Sequence, residues 1–254
     1  MSRIPYILDT MHDMFRDYPL TELAYTTPFQ LVVAVVLSAQ TTDKQVNKVT
    51  SSLFELVRTP SDVVQLWEER FRDMISSIGL YKGKAKNIVR LSEQILELTA
   101  GYEKDMRWGR WDTWDLDEAR DLVLEELTYT DSADLYRSWW YIIPDTVAGL
   151  MRLAGVGMKT AKVVAYVLYR KRVVAVDTHV HRVMNRLGII STDSPEKSSL
   201  LLEKKIPDNY KDVAHRVIIY FGRYLCTAKR PWCDRCPLLE ICPWWQEHRA
   251  WSWE

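Results

Sequence analysis

Four thiols, one lysine and one aspartate carry most of the chemistry that this sequence could perform. Cys226, Cys233, Cys236 and Cys242 stand in the spacing C-x6-C-x2-C-x5-C near the end of the chain. Thiolates favour zinc and iron–sulfur clusters. In a reducing compartment, such clustering points to metal rather than to disulfides. Zinc sites usually pair two short C-x2–4-C knuckles across a longer spacer, and only Cys233–Cys236 is such a knuckle here. The spacing therefore favours an iron–sulfur cluster, with a four-cysteine zinc site as the alternative. The C-x6-C loop also carries Lys229 and Arg230 ahead of Pro231. Two cations on a pinned loop suit a phosphate-binding finger; a solvated basic loop accounts for them about equally well.

Lys159 follows the run Leu153-Ala154-Gly155-Val156-Gly157-Met158. Glycines at alternate positions permit a tight turn and the close approach of another backbone. Gly155, Val156 and Gly157 thus read as the turn of a helix–hairpin–helix. Its unpartnered N–H groups at the start of the second helix favour a phosphate. Many helix–helix turns contain two glycines, so the motif alone is weak. A lysine in that first turn feels the positive helix end and other cations, which favour the neutral, nucleophilic amine. Taken by itself, the position fits a solvated or phosphate-binding lysine better. Eighteen residues on, Asp177 follows the apolar run Val174-Ala175-Val176 and precedes a helix. It reads as an N-cap, which is compatible with a rigidly held functional carboxylate. His179 and His181 fall on different helix faces and read as structural.

The elements that must position these residues are helical. Thr27-Pro28 opens an apolar helix through Leu37, and a second runs from near Asp43 to Val57. Short helices fill Ser61–Trp67 and Phe71–Ile78, and a longer one fills Lys82–Leu98. Pro144–Leu153 and Lys159–Tyr169 flank the glycines. Asp177 or Thr178 opens a helix to about Leu187 that Gly188 ends. Pro195–Lys205 and Asp212–Leu225 complete the set. Arg172–Val176 is β-branched but too isolated to build a sheet. Residues 102–142 stand apart, with amphipathic helices at Asp115–Leu127 and Ser132–Ile142 and five of the eleven tryptophans.

Charge is balanced over the whole chain, 34 basic against 34 acidic residues. Residues 102–142 hold 11 of the acidic residues and 5 of the basic ones, which leaves 29 basic against 23 acidic elsewhere. One acidic segment masks a basic protein. No signal pattern marks the N-terminus and no apolar run approaches a membrane span. A cytoplasmic, nucleoid-associated protein without a membrane partner is expected.

Together these features resemble the endonuclease III family of the helix–hairpin–helix glycosylase superfamily, over residues about 1–101 and 143–243. The motifs are Leu37-Ser38-Ala39-Gln40-Thr41-Thr42-Asp43, Ile78-Gly79-Leu80-Tyr81, Gly155-Val156-Gly157-Met158-Lys159-Thr160-Ala161, Val176-Asp177-Thr178-His179 and the four-cysteine ending. The resemblance implies an all-α, two-lobed fold with DNA between the lobes. A six-helix barrel lobe takes residues 22–171, and an iron–sulfur lobe takes 1–21 with 172–254. It implies that Lys159 attacks C1′ of a damaged nucleotide to form a Schiff base, with Asp177 as the assisting carboxylate. Gln40 would fill the gap left by a flipped base, Leu80 would wedge the opposite strand, and Asp43 would line the base pocket. The four cysteines would hold a [4Fe–4S] cluster. The implied activity is a base-excision DNA glycosylase and AP lyase. It would remove oxidised pyrimidines from double-stranded DNA, and cleave abasic sites, as a monomer.

Two departures stand out. Ala154 replaces the proline usual before the hairpin glycine, which should loosen the turn slightly. The insert at 102–142 reads as a peripheral helical hairpin whose tryptophans pack on the barrel, or else as a partner-docking or damage-selecting element. Mismatch and pyrimidine-dimer glycosylases of the same superfamily are the nearest rivals. Lys159 argues against an adenine-mismatch enzyme, a class that usually lacks this lysine. From other classes, a non-catalytic DNA-binding module would make Lys159 a phosphate contact and Asp177 a cap. An electron carrier would leave the hairpin unexplained.

Overall fold

The computed structural model describes residues 3–107 and 141–248. Among them every regular element is a helix: α1 (Ile4–Phe15), α2 (Pro28–Leu37), α3 (Asp43–Leu56), α4 (Pro60–Met74), α5 (Tyr81–Arg107), α6 (Val147–Leu150), α7 (Met158–Tyr169), α8 (Thr178–Arg186), α9 (Pro195–Lys205), α10 (Lys211–Tyr224) and α11 (Pro243–His248), with single 3-10 turns at Asp208–Tyr210, Cys233–Arg235 and Leu239–Ile241. None of these helices is long and apolar enough to cross a membrane. The chain divides into two compact units, Glu22–Tyr169 and Met1–Thr21 with Arg170–Glu254.

The first unit is built on α2. Every residue from Phe29 to Leu37 is buried, as a helix apolar on all sides must be. Helices α3, α5 and α7 pack against it, α4 lies along α5, and α6 leads into α7. Thr27 starts α2 with a capping box: its Oγ1 accepts from Gln30 N–H at 3.1 Å. The buried Gln30 side chain also donates to Val57 O (2.8 Å) and Phe54 O (3.2 Å), tying the start of α2 to the end of α3. Thr59 and Asp62 form a second capping box at α4.

Three helix spans differ from those expected from the sequence. The two short helices expected over Ser61–Trp67 and Phe71–Ile78 are the two parts of α4, which meet at a kink at Trp67 (φ 61°, ψ 150°), and the second ends at Met74 rather than Ile78. The expected helix over Pro144–Leu153 shrinks to one turn, because Thr146 caps it and accepts from Gly149 N–H at 3.0 Å. Helix α5 continues past Leu98 to Arg107, since Gly101 weakens a helix without ending it. The Asp115–Leu127 helix lies outside the described residues. So does Ser132–Ile142, apart from Tyr141 and Ile142, which are not helical.

In the second unit α1, α8 and α10 enclose an apolar core that includes Leu8, Met11, Val180, Val183, Met184, Val217, Ile218 and Phe221. Arg172–Val176 runs without strand pairing into α8. Gly188, with φ 66°, ends the turn after α8.

Candidate functional site

In the first unit, two turns carry Gln40 and Leu80, the residues expected from the sequence to fill the gap and wedge the opposite strand. Gln40 lies between α2 and α3, and Leu80 lies just before α5. Both are exposed, Leu80 at 68%. Both adopt left-handed backbone, φ 57° and 58°, which costs a non-glycine residue about 1–3 kcal/mol and tends to mark working sites. The turns are neighbours: a Cβ on Gly79 would stand 3.9 Å from Gln40 O, and Gln45 Nε2 donates to Ser77 Oγ at 3.2 Å. Asp43 is the first residue of α3 and half-buried, behind the Thr42 cap whose Oγ1 accepts from Gln45 N–H.

The hairpin turn joins α6 to α7. Gly155 has φ 76°, and a Cβ there would come within 2.8 Å of Asn87 Cβ, so glycine is required by both backbone and space. Gly157 differs: a Cβ would meet nothing within 4 Å. It leaves open room where another backbone could approach. Val156 is buried and its N–H donates to Leu153 O at 3.1 Å. The turn thus uses that donor internally and leaves the donors after it. The first bond of α7 runs from Ala161 N–H to Gly157 O, so the N–H groups of Met158, Lys159 and Thr160 lie ahead of the helical ladder. Lys159 is the second residue of α7 and exposed.

Ala154 bears on the stiffness of that turn. Its N–H donates to Gln94 Oε1 at 2.8 Å, while Gln94 Nε2 donates to Arg152 O at 3.0 Å. Gln94 lies in α5 and clips the hairpin from outside. A proline at 154 could not make the first bond, having no N–H. The loosening expected from Ala154 is therefore offset by a glutamine that carries no signal in the sequence beyond being a polar residue on a helix.

In the second unit, Asp177 is the N-cap of α8. Its Oδ1 accepts from His179 N–H and Val180 N–H, both at 2.8 Å, and the residue is half-buried. Helix α8 also directs two arginines at the cysteine loop. Arg182 donates to Cys226 O and Gly222 O. Arg186 donates to Thr227 O (2.7 Å), Ala228 O (2.9 Å) and Cys226 Sγ (3.4 Å), and stacks on Trp244 at 4.3 Å. His181 Nδ1 pairs with Ser198 Oγ at 2.6 Å.

All four cysteines are free and half-buried, and Cys226, Cys236 and Cys242 pack against the apolar core of this unit. Burial and the neighbouring thiols push Cys233 and Cys242 above the usual thiol range, and push Cys236 to about 11 although Leu238 N–H pulls the other way. Sulfurs placed together in such surroundings ionise readily only with a cation among them. The donor set fits a metal group in that sense. Among the described residues no three His, Cys, Asp or Glu side chains are arranged around a single metal ion. Lys229 and Arg230 are exposed on the loop, which Thr227 Oγ1 closes by donating to Arg230 O at 2.6 Å.

Residues 33–208 match the family described as HhH-GPD superfamily base excision DNA repair protein. The endonuclease III of Bacillus subtilis (strain 168) is 38% identical over 95% of this chain and 92% of its own length. That of Escherichia coli (strain K12) is 32% identical, with 89% and 88% covered. Two solved endonuclease III–DNA complexes are similar in structure. One, a trapped covalent intermediate, has a TM-score of 0.75 at 38% identity with 97% of each chain covered. The other, non-covalent, has a TM-score of 0.76 at 37% identity, covering 98% of this chain and 97% of that one. A thermostable thymine-DNA glycosylase shares the fold, at 16% identity and a TM-score of 0.68 over 96% of this chain and 97% of that one.

Proposed function

The chain belongs to the HhH-GPD superfamily of base excision DNA repair proteins, and from that premise we propose how its own residues carry out the work of an endonuclease III. It is a DNA glycosylase and AP lyase acting on double-stranded DNA. Oxidised pyrimidines are the proposed lesions. The observation that carries the mechanism is Lys159: an exposed amine in the first turn of α7, next to backbone donors open to a phosphate.

The hairpin donors and the Lys229–Arg230 loop bind backbone phosphates, which position the duplex without reading its sequence. The damaged base leaves the stack, Gln40 fills its place and Leu80 enters the opposite strand, while Asp43 lines the base pocket. Lys159 Nζ bonds to C1′ as the bond from C1′ to the base nitrogen breaks, and the base leaves with the electron pair and gains a proton. Asp177, fixed by two backbone N–H groups, stabilises the positive charge that develops at the sugar and relays protons. Ring opening gives an imine between Nζ and C1′. Loss of a C2′ proton then expels the 3′ phosphate, and water releases the lysine. Cys226, Cys233, Cys236 and Cys242 would hold a [4Fe–4S] cluster, which pins the phosphate-binding loop when bound.

A duplex with one oxidised pyrimidine, treated with borohydride, tests this reading. A covalent protein–DNA adduct is expected from the wild type and none from Lys159→Ala. An active wild type that gives no adduct would make the protein a monofunctional glycosylase. No base release at all would favour a DNA-binding module.

A further inference from the structure

Among the residues with no assigned part in the reaction, Lys84 is the most unusual. It sits in the first turn of α5 and is only 6% exposed. A buried ammonium is costly unless its donors are met, and here all three are: Nζ donates to Leu37 O (2.8 Å), Ala39 O (2.6 Å) and Thr41 Oγ1 (3.1 Å). Leu37 ends α2, so the charge also sits at a helix C-terminus, where a cation is favoured. Its acceptors lie on both sides of Gln40. The backbone N–H of the same residue donates to Leu80 O at 3.1 Å. That bond is the first helical bond of α5, so the start of the helix fixes Lys84 relative to Leu80, and the Lys84 side chain carries that register across to the turn that holds Gln40. Both turns hold left-handed non-glycine residues, a conformation that persists only where its surroundings impose it.

We propose that Lys84 is a positioning residue that locks the Gln40 and Leu80 turns into one preformed unit, so that gap filling and strand wedging occur together. The inference rests on the roles given above to Gln40 and Leu80. Burial lowers the Lys84 pKa from the ordinary lysine value, and the three acceptors around Nζ offset that cost of holding the ammonium there. Free turns would have to be ordered at each encounter, and that ordering would be charged to duplex binding and base flipping. Chemistry on a strand with no partner and no stack to fill would not depend on it.

The test compares two substrates: a duplex with one oxidised pyrimidine, and a single-stranded oligonucleotide with a preformed abasic site. Lys84→Met removes all three side-chain bonds. Thr41→Val removes one and leaves the buried amine in place, so it serves if Lys84→Met does not fold. For a folded variant, duplex base release is expected to fall about tenfold or more for Lys84→Met and severalfold for Thr41→Val, in the range of lost hydrogen bonds. Single-strand cleavage should stay within about twofold, because a lost bond in the turns does not touch Lys159. A fluorescent adenine analogue opposite the lesion should show less unstacking at saturating enzyme, and Lys84→Arg should recover part of the signal. Equal losses on both substrates, or none on the duplex, would overturn the proposal. Gln40→Ala and Leu80→Ala separate the two layers. If neither lowers duplex activity, the plug and wedge roles fail. If both do and Lys84→Met does not, only the coupling fails.

Discussion

Gln94→Leu should weaken DNA binding through the hairpin without altering any group proposed to contact DNA. The substitution removes two neutral hydrogen bonds, to Ala154 N–H and from Nε2 to Arg152 O. Each such bond is worth about 0.5–1.5 kcal/mol net, and the Arg152 bond is exposed, so it belongs at the low end. A loss of about 1–2 kcal/mol follows, or about 5- to 30-fold in affinity if all of it falls on the bound state. Some will fall on folding instead, so thermal unfolding must be followed alongside. The binding assay is fluorescence anisotropy with a duplex carrying an uncleavable abasic analogue. The second arm is Ala154→Pro. In the wild type it breaks the 2.8 Å bond and leaves Gln94 Oε1 without that donor, which offsets the stiffness that proline adds. In the Gln94→Leu background it should restore part of the affinity, because a compatible proline stiffens a turn by about 0.4–1 kcal/mol with no bond left to break. The two substitutions should therefore be strongly non-additive. Additive effects, or a Gln94→Leu variant that binds like the wild type, would refute the clip.

The two hairpin glycines should part company. Gly155→Ala meets left-handed backbone and a 2.8 Å approach to Asn87 Cβ, so urea unfolding should show a loss of about 2 kcal/mol or more. Gly157→Ala meets nothing within 4 Å; it should leave the urea midpoint nearly unchanged and weaken DNA binding, and a stability loss equal to that of Gly155→Ala would contradict this. His179 supplies a pH dependence. Burial lowers its pKa from 6.5, Arg182 and Arg223 add to the effect, and Asp177 opposes it; Arg182 Nη2 also donates to its Nδ1 at 3.2 Å, which requires that nitrogen unprotonated. The folded value lies below the unfolded one, so the unfolded chain takes up more protons as pH falls through 6.5, and the His179 contribution is present above that pH and lost below it. Urea midpoints measured across this range should decline less steeply in His179→Gln; an unchanged slope would place the titration elsewhere.

How far the molecule could be read from its sequence follows from the reach of each interaction. Thr27-Pro28, the Asp43 start, the Asp177 cap, Pro195 and Gly188 are local signals, and the helix ends fall on them. The break in α4 at Trp67 falls at the end expected for the Ser61–Trp67 helix, although no glycine or proline marks it. Lys84 and Gln94 are silent in the sequence. Their acceptors and donors lie 43 to 47 and 58 to 60 positions away along the chain. A side chain that meets a distant main-chain atom leaves no periodicity and no spacing. The motif residues are those proposed to touch the substrate, and these two bond to the turns that carry them. Gln40 and Leu80 show the consequence most plainly. Local propensity would put glycine at φ near 60°, yet a glycine there would have no side chain to place in the duplex. At the Gln40 turn the backbone bond from Thr41 N–H to Ser38 O is local, and the bonds that reach it from a distant element come from the Lys84 side chain, which is the basis of the positioning role proposed for that lysine.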